Sequence, residues 1–278
     1  MTTFSIYVIT YWGDDLQAQI TDMIDNNVIK KGMRVILAFA SFNFISSQYI
    51  PGFGSVTMDE VRAVVQLVHS MNAYISLSIG GATYSLYNSD LYADPDTLAE
   101  NISGLLANVG FDGVDFNIED SYTDVPTNFA TTAATLINMT RKLNPSMYIT
   151  LTTPAQAWGA EMYQKTLLNF TISALSAWQP MEYDLWINQS FDYPTQIQAD
   201  IDYYITEWSI PVDKIIVCLM CGSDYENHVL TLNDALTMTT YAQTKYLKGV
   251  MMWDAMIDGD GCIGNAPYAY SLGIQAEL

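Results

Sequence analysis

Short apolar runs alternate with longer amphipathic stretches along the whole chain. The runs Ile6–Tyr11, Arg34–Phe42, Tyr74–Ile79, Gly113–Glu119, Tyr148–Thr153, Asp184–Gln189, Lys214–Met220 and Gly249–Trp253 predict eight strands. Their starts lie about 28 to 40 residues apart, the length of a strand plus a crossover helix. The stretches between them carry helix signals. Thr57 precedes residues 58–71 and Glu60 follows it by three positions, a capping box ahead of apolar residues at helical spacing. Pro95 stands at the start of a second pattern that Gly110 closes, and Pro126 opens a third over residues 126–144. Strands that read as nearly continuous Val, Ile and Leu are covered on both faces, which argues for a parallel sheet. Eight such units in 278 residues predict a single-domain (β/α)8 TIM barrel over residues 1–278. A doubly wound open sheet is the alternative, but YWGDDLQ after the first strand offers one glycine, so a nucleotide-binding version lacks its phosphate loop.

Composition narrows the partners. Half of the residues are hydrophobic and 14% are charged, enough for one large core, which excludes a disordered or fibrous chain. Thirty acidic residues against ten basic ones give a formal charge of -20, so nucleic acid and anionic membranes are not expected partners. The start, MTTFSIYVITYWGDD, has neither the basic segment nor the cleavage site of a signal peptide, and no apolar window reaches membrane-spanning length. A soluble chain, acting as a monomer, is the expectation, with its compartment open. Of the three cysteines, Cys218 and Cys221 form a C-x-x-C with no second pair and only His228 nearby, so they are read as small hydrophobes and not as a zinc or redox centre. Asp254, Asp258 and Asp260 lack the ligand spacing of a calcium loop and are read as a polar turn. His69 and His228 are the only histidines, too few to suggest a Ser-His-Asp triad. No metal or cofactor is expected. The N-x-S/T sites at Asn101, Asn138, Asn169 and Asn188 matter only on a secretory route.

The fourth strand carries the candidate chemistry. In 111–120, FDGVDFNIED, alternation puts Val114, Phe116 and Ile118 on one face and Asp115, Asn117 and Glu119 on the other. The apolar face packs under helices, so the polar row points into the lumen, where each group needs a partner. A packed interior would favour Val or Ile there, and chemistry is the simplest reason for polar residues. Glu119, nearest the mouth, is expected to have its carboxyl pKa raised by apolar surroundings and by Asp115, as a general acid requires. The bland alternative is a solvated strand end that is acidic by chance.

The segment FDGVDFNIE resembles the catalytic signature D-G-x-D-x-D-x-E of glycoside hydrolase family 18, the chitinase family, through Asp112, Gly113, Asp115 and Glu119. SLSIGGA resembles its S-x-G-G motif through Ser78, Gly80 and Gly81. YWG at Tyr11 to Gly13, LTTPAQA with Gln156, and GVMMW ending at Trp253 resemble the first, fifth and eighth strands of plant-type class III chitinases. The resemblance implies a TIM barrel that acts on chitin or another N-acetylglucosamine oligosaccharide, and it is compatible with action outside the cell. It implies substrate-assisted retaining hydrolysis: Glu119 protonates the glycosidic oxygen while the sugar's 2-acetamido carbonyl attacks the anomeric carbon. Two departures stand out. Asn117 occupies the place of the middle aspartate, and a gapless reading puts Phe191 where strand six carries a tyrosine, with Gln189 kept. Asn117 can still accept the acetamido N–H but brings no negative charge. An Asn-x-Glu pair also resembles glycoside hydrolase family 85, endo-β-N-acetylglucosaminidases that use asparagine as the orienting residue and act on N-glycans. Tyr11, Phe39 and Trp253 are candidate sugar platforms, with Trp253 the floor of the central subsite by resemblance; Trp12, Trp158, Trp186 and Tyr84 are open between rim and core. The rival expectation is a binding-only relative, a lectin or inhibitor that keeps the groove and has lost the chemistry.

Overall fold

Apolar runs become strands and amphipathic stretches become helices in the computed structural model, which describes residues 2–10, 15–121, 124–155, 161–183, 192–223 and 229–278. The strands are β1 (Thr3–Ile9), β2 (Arg34–Ala40), β3 (Tyr74–Gly80), β4 (Gly113–Asn117), β5 (Tyr148–Pro154), β6 (Ala177–Met181), β7 (Ile216–Met220), β8 (Gly222–Ser223), β9 (Val229–Leu230) and β10 (Gly249–Trp253). Helices α1 (Leu16–Asp25), α2 (Met58–Ser70), α3 (Pro95–Val109), α4 (Phe129–Leu143), α5 (Glu161–Thr171), α6 (Tyr193–Glu207) and α7 (Leu232–Thr244) lie between them, and α8 (Ala255–Gly259) and α9 (Ala269–Glu277) follow β10. Among the described residues β1–β7 and β10 pair in parallel and close into a barrel in the order β1-β10-β7-β6-β5-β4-β3-β2, while β8 and β9 form a separate antiparallel ribbon. This is the predicted (β/α)8 barrel.

Local signals account for most boundaries. Thr57 and Glu60 make the reciprocal capping box on α2. Pro95 sits in the first turn of α3, and Gly110 ends that helix at φ 92°, a left-handed conformation that costs glycine little. The third helix corrects its predicted start: α4 begins at Phe129, because the Pro126 carbonyl is used in a turn by Phe129 N at 2.9 Å. Strand six is the larger correction. It is Ala177–Met181; the predicted run Asp184–Gln189 lies outside the described residues. Pro180 cannot donate to a ladder, so AWQPM does not read as a central strand. Pairing with β7 is correspondingly sparse, one registered pair, Met181 with Cys218, plus a bridge from Trp178 to Ile215.

Two apolar clusters divide the interior. Val114, Phe116 and Ile118 belong to the larger one between sheet and helices, as their alternation requires. The smaller one fills the lumen with Tyr7, Ile36, Ala38, Phe39, Ala177, Ile216, Cys218 and Met251. The barrel bottom is closed by Arg34, whose Nη1 donates to Ser76 Oγ at 2.8 Å and whose guanidinium lies 4.0 Å from the Tyr148 ring centroid. Gly113 leaves room for it: a Cβ there would meet Ser76 Oγ and the Tyr148 carbonyl, both at 2.5 Å. Beside it Asp112 accepts from Ile75 N at 2.8 Å and pairs with His69 Nε2 at 2.9 Å, which places both residues in structural bracing below the mouth.

The acidic segment after β10 is a short helix and not the polar turn expected. Asp254 caps α8 by accepting from Met256 N at 2.8 Å and Ile257 N at 3.2 Å. Asp258 is buried and accepts from Tyr270 N, Ser271 N and Ser271 Oγ, tying α8 to α9. Cys218 lies in the lumen cluster, and Cys221 and Cys262 are buried. Burial pushes the Asp254 carboxyl up to about 6, so the fold holds this proton more tightly than the unfolded chain. Its contribution is complete below about pH 4 and is lost as pH rises through about 6, a span worth about 3 kcal/mol. Asp254→Asn keeps the cap acceptor and removes the titration. The urea midpoint of this variant is therefore expected to vary less between pH 4 and pH 7 than that of the parent; equal variation would contradict the assignment.

Candidate active site

Asp115 organises the lumen. It is fully buried in β4, with donors converging on it from four other strands. Tyr7 OH and Ser78 Oγ reach Oδ2, both at 2.6 Å; Thr150 Oγ1 and Thr152 Oγ1 reach Oδ1 at 2.7 Å, and Gln179 Nε2 reaches it at 3.1 Å. A carboxylate out of water is costly unless so surrounded, and these five bonds offset that cost. Burial, with the Asp115 charge beside it, pushes the Tyr7 phenol well above its usual range, so Tyr7 stays a donor.

One step toward the mouth, Asn117 is 3% exposed and its Oδ1 has no hydrogen-bond partner among the described residues. Its backbone carbonyl accepts from Gly81 N at 2.9 Å. The S-x-G-G pattern has a steric basis here. A methyl at Gly80 would overlap the Asn117 carbonyl, and one at Gly81 would press on the Phe39 ring at 3.0 Å; both glycines have positive φ, 116° and 78°. β4 ends at Asn117, two residues short of the prediction, but Ile118 N still donates to Thr152 O at 2.9 Å. The ladder thus runs one residue further and keeps the half-buried Glu119 on the alternation of Asp115 and Asn117.

Aromatic rings line the same end. Phe39 stacks on Trp253 with centroids 5.4 Å apart and planes 19° apart, and Tyr7 lies 5.4 Å from Trp253. Tyr84 and Tyr183, both partly buried, pack against this cluster. The peptide bonds Ala38–Phe39 and Trp253–Asp254 are cis.

The Glycosyl hydrolases family 18 model matches residues 7–229, most of the chain. The chain belongs to this family. Its fold is that of solved family 18 structures. It superposes with a TM-score of 0.78 on active domain 2 of a thermostable chitinase from Pyrococcus furiosus, solved as catalytic-site mutants complexed with chito-oligosaccharides, at 16% identity over 99% of this chain and 94% of that one. A family 18 chitinase from Pseudoalteromonas aurantia gives 0.75 at 17% identity, with both chains fully covered. Human YKL-39, described as a pseudo-chitinase with retained chitooligosaccharide binding, gives 0.73 at 14% identity, again with both chains fully covered. No curated protein sequence matches the chain.

Within the family 18 barrel the residues expected from sequence divide into three groups. Ser78, Gly80, Gly81, Asp115, Asn117, Phe39 and Trp253 come together at the lumen and its mouth, Glu119 follows half-buried two residues past the end of β4, and Asp112 and Gly113 sit at the closed end. Tyr11, Gln156, Gln189 and Phe191 lie outside the described residues, as do Trp12, Trp158, Trp186, Asn188 and His228. With β6 at Ala177–Met181, the assignment of Gln189 and Phe191 to strand six is corrected: the strand's lumen-facing amide is Gln179, and the aromatic just past its end is Tyr183. Sequence reasoning also missed Tyr7, Thr150 and Thr152, which hold Asp115. Their only signal is a hydroxyl at every second place in otherwise apolar strands.

Proposed function

We propose that this barrel hydrolyses β-1,4 bonds next to N-acetylglucosamine in chitin or related oligosaccharides by substrate-assisted retaining catalysis. Glu119 protonates the glycosidic oxygen, Asn117 accepts the acetamido N–H of the sugar below it, and Asp115 fixes the floor on which both stand. Asn117 Oδ1 carries the reading: a buried acceptor with no partner among the described residues is a group that ligand binding would satisfy. Asn117 takes the place of the middle aspartate of the signature, and the YWG and GVMMW segments favour the plant-type class III branch. Tyr183, which follows β6 and packs on the Phe39 and Trp253 cluster, would supply the strand-six hydroxyl in place of Phe191, which leaves Asn117 as the departure from the signature among the described residues. The experiment is incubation with chitotetraose, following the anomeric protons by NMR. Shorter sugars released first as β-anomers support the reading; inverted products or no products overturn it.

Asn117 also favours a second reading, a binding-only protein, since an amide cannot balance positive charge on an oxazolinium intermediate. Human YKL-39, described as a pseudo-chitinase with retained chitooligosaccharide binding, is a precedent of similar fold. Sugar binding without products selects this reading. If the hydrolase reading holds, Asn117→Asp is expected to raise kcat about tenfold, the rate equivalent of ~1.4 kcal/mol for one charge-assisted contact. An unchanged or lower kcat on chitotetraose would show that the pocket is built around asparagine.

A further inference from the structure

The residue after Glu119 is held more firmly than its place in a connecting loop requires. Asp120 is 8% exposed, and its carboxylate is used entirely by three consecutive residues of the β3–α3 connection. Leu86 N donates to Oδ2 at 3.1 Å, Tyr87 N donates to Oδ1 at 3.0 Å, and Ser85 Oγ also donates to Oδ1. These contacts span more than thirty positions of sequence, so the local path of residues 85–87 is set by a carboxylate on another strand's loop. From the opposite side Tyr163 of α5 donates its hydroxyl to the Asp120 carbonyl at 3.0 Å. Burial first, then the charges of Asp120 and Glu119, push the Tyr163 phenol up, which keeps it a donor. Glu119 thus lies between two fixed points: Ile118, bonded to Thr152 of β5, and Asp120, gripped by the β3–α3 loop and by α5.

The gripped loop also belongs to the mouth. Tyr84 immediately precedes it, packs against the Phe39 and Trp253 cluster, and reaches the Gly52 carbonyl at 3.5 Å. Gly52 belongs to the β2–α2 connection, which is tied in turn to the β3–α3 connection where Asp90 N donates to Asn43 Oδ1 at 2.7 Å. A displacement of residues 85–87 therefore moves the aromatic wall and the segment bearing Glu119 together.

We infer that Asp120 is a positioning residue that couples the proton donor to the aromatic wall of the cleft, so that a sugar seated against the wall is in register with the acid. The inference rests on the reading of Glu119 as that acid. A misplacement of about 1 Å costs on the order of 10²-fold in rate. Asp120→Ala removes both acceptor oxygens and with them all three hydrogen bonds, and is expected to lower kcat on chitotetraose about 10²-fold and to raise KM several-fold. Asp120→Asn keeps one acceptor oxygen but turns an amide N–H toward a backbone N–H, so it should fall between parent and alanine, a graded rescue that follows the hydrogen bonds. Circular dichroism checks that both variants are folded; if the alanine protein does not fold, the asparagine variant decides. Loss of kcat in that order, in folded protein, supports the coupling. A folded variant with a lower Tm and parental kcat and KM overturns it and leaves Asp120 a brace. Failure of the underlying reading is separate: it shows as Glu119→Gln retaining turnover, whatever Asp120 does.

Discussion

Glu119→Gln is expected to abolish release of shorter sugars from chitotetraose while sugar binding, measured by calorimetry, stays within a few-fold of the parent. The amide is nearly isosteric and preserves the half-buried position past the end of β4, but it has no proton to give to a departing oxygen. General acid catalysis alone is worth about 10²–10⁴-fold, and in a substrate-assisted mechanism no second carboxylate forms a covalent intermediate to recover the rate. The parent's turnover should therefore drop to the detection limit with little change in stability. Equal turnover by parent and variant would remove Glu119 from the chemistry and with it the proposed function.

Asp115→Ala has the largest expected effect on stability. The substitution strands the hydroxyls of Tyr7, Ser78, Thr150 and Thr152 in a dry lumen and leaves the Gln179 amide with its bond to Thr152 Oγ1 at 2.7 Å. Tyr7 and Thr152 can recover part of the loss between themselves, since their oxygens already lie 3.2 Å apart. A buried donor left unsatisfied costs about 1–3 kcal/mol, so even with that repair the loss should reach about 4 kcal/mol. For a chain of this size that corresponds to roughly 10 °C in Tm. Urea titration is the check, and a loss below about 1 kcal/mol would mean that the lumen does not depend on this carboxylate. Asp115→Asn, which keeps the volume and one acceptor, should be milder in stability yet still reduce activity, because Asn117 and Glu119 ride on the same strand.

Much of the candidate site was legible because β-structure writes its faces into the chain with period two. Asp115, Asn117 and Glu119 could be assigned to one side of β4 from alternation alone, and the structure places Asp115 among lumen donors and Val114, Phe116 and Ile118 under the helices. Gly80 and Gly81 were visible as a motif, but their reason, the close approach of the Asn117 carbonyl and the Phe39 ring, needed the neighbouring strands. Strand six shows where pattern reading fails. Pro180 and the fully buried Glu182 interrupt the apolar run, so the next hydrophobic stretch reads as the strand and draws the strand-six glutamine and aromatic positions to 189 and 191. Asp120 is illegible for another reason: a carboxylate after a strand looks like solvated loop in the sequence, and its partners, Ser85 to Tyr87, lie more than thirty positions away.

The amino-acid sequence by itself determined the features whose causes are local: strand and helix periodicity, the Thr57 capping box, the Gly110 stop, the eight-unit count and the polar file on β4. Those follow from side chains a few positions apart, which act on one another whatever the rest of the chain does. Tertiary structure alone decided which groups meet across the lumen and around the mouth, where Tyr7, Ser78, Thr152 and Gln179 find Asp115 from four different strands. Barrel closure sets those meetings, since strand register and tilt, which no short window encodes, bring hydroxyls from distant segments within 3 Å of one carboxylate.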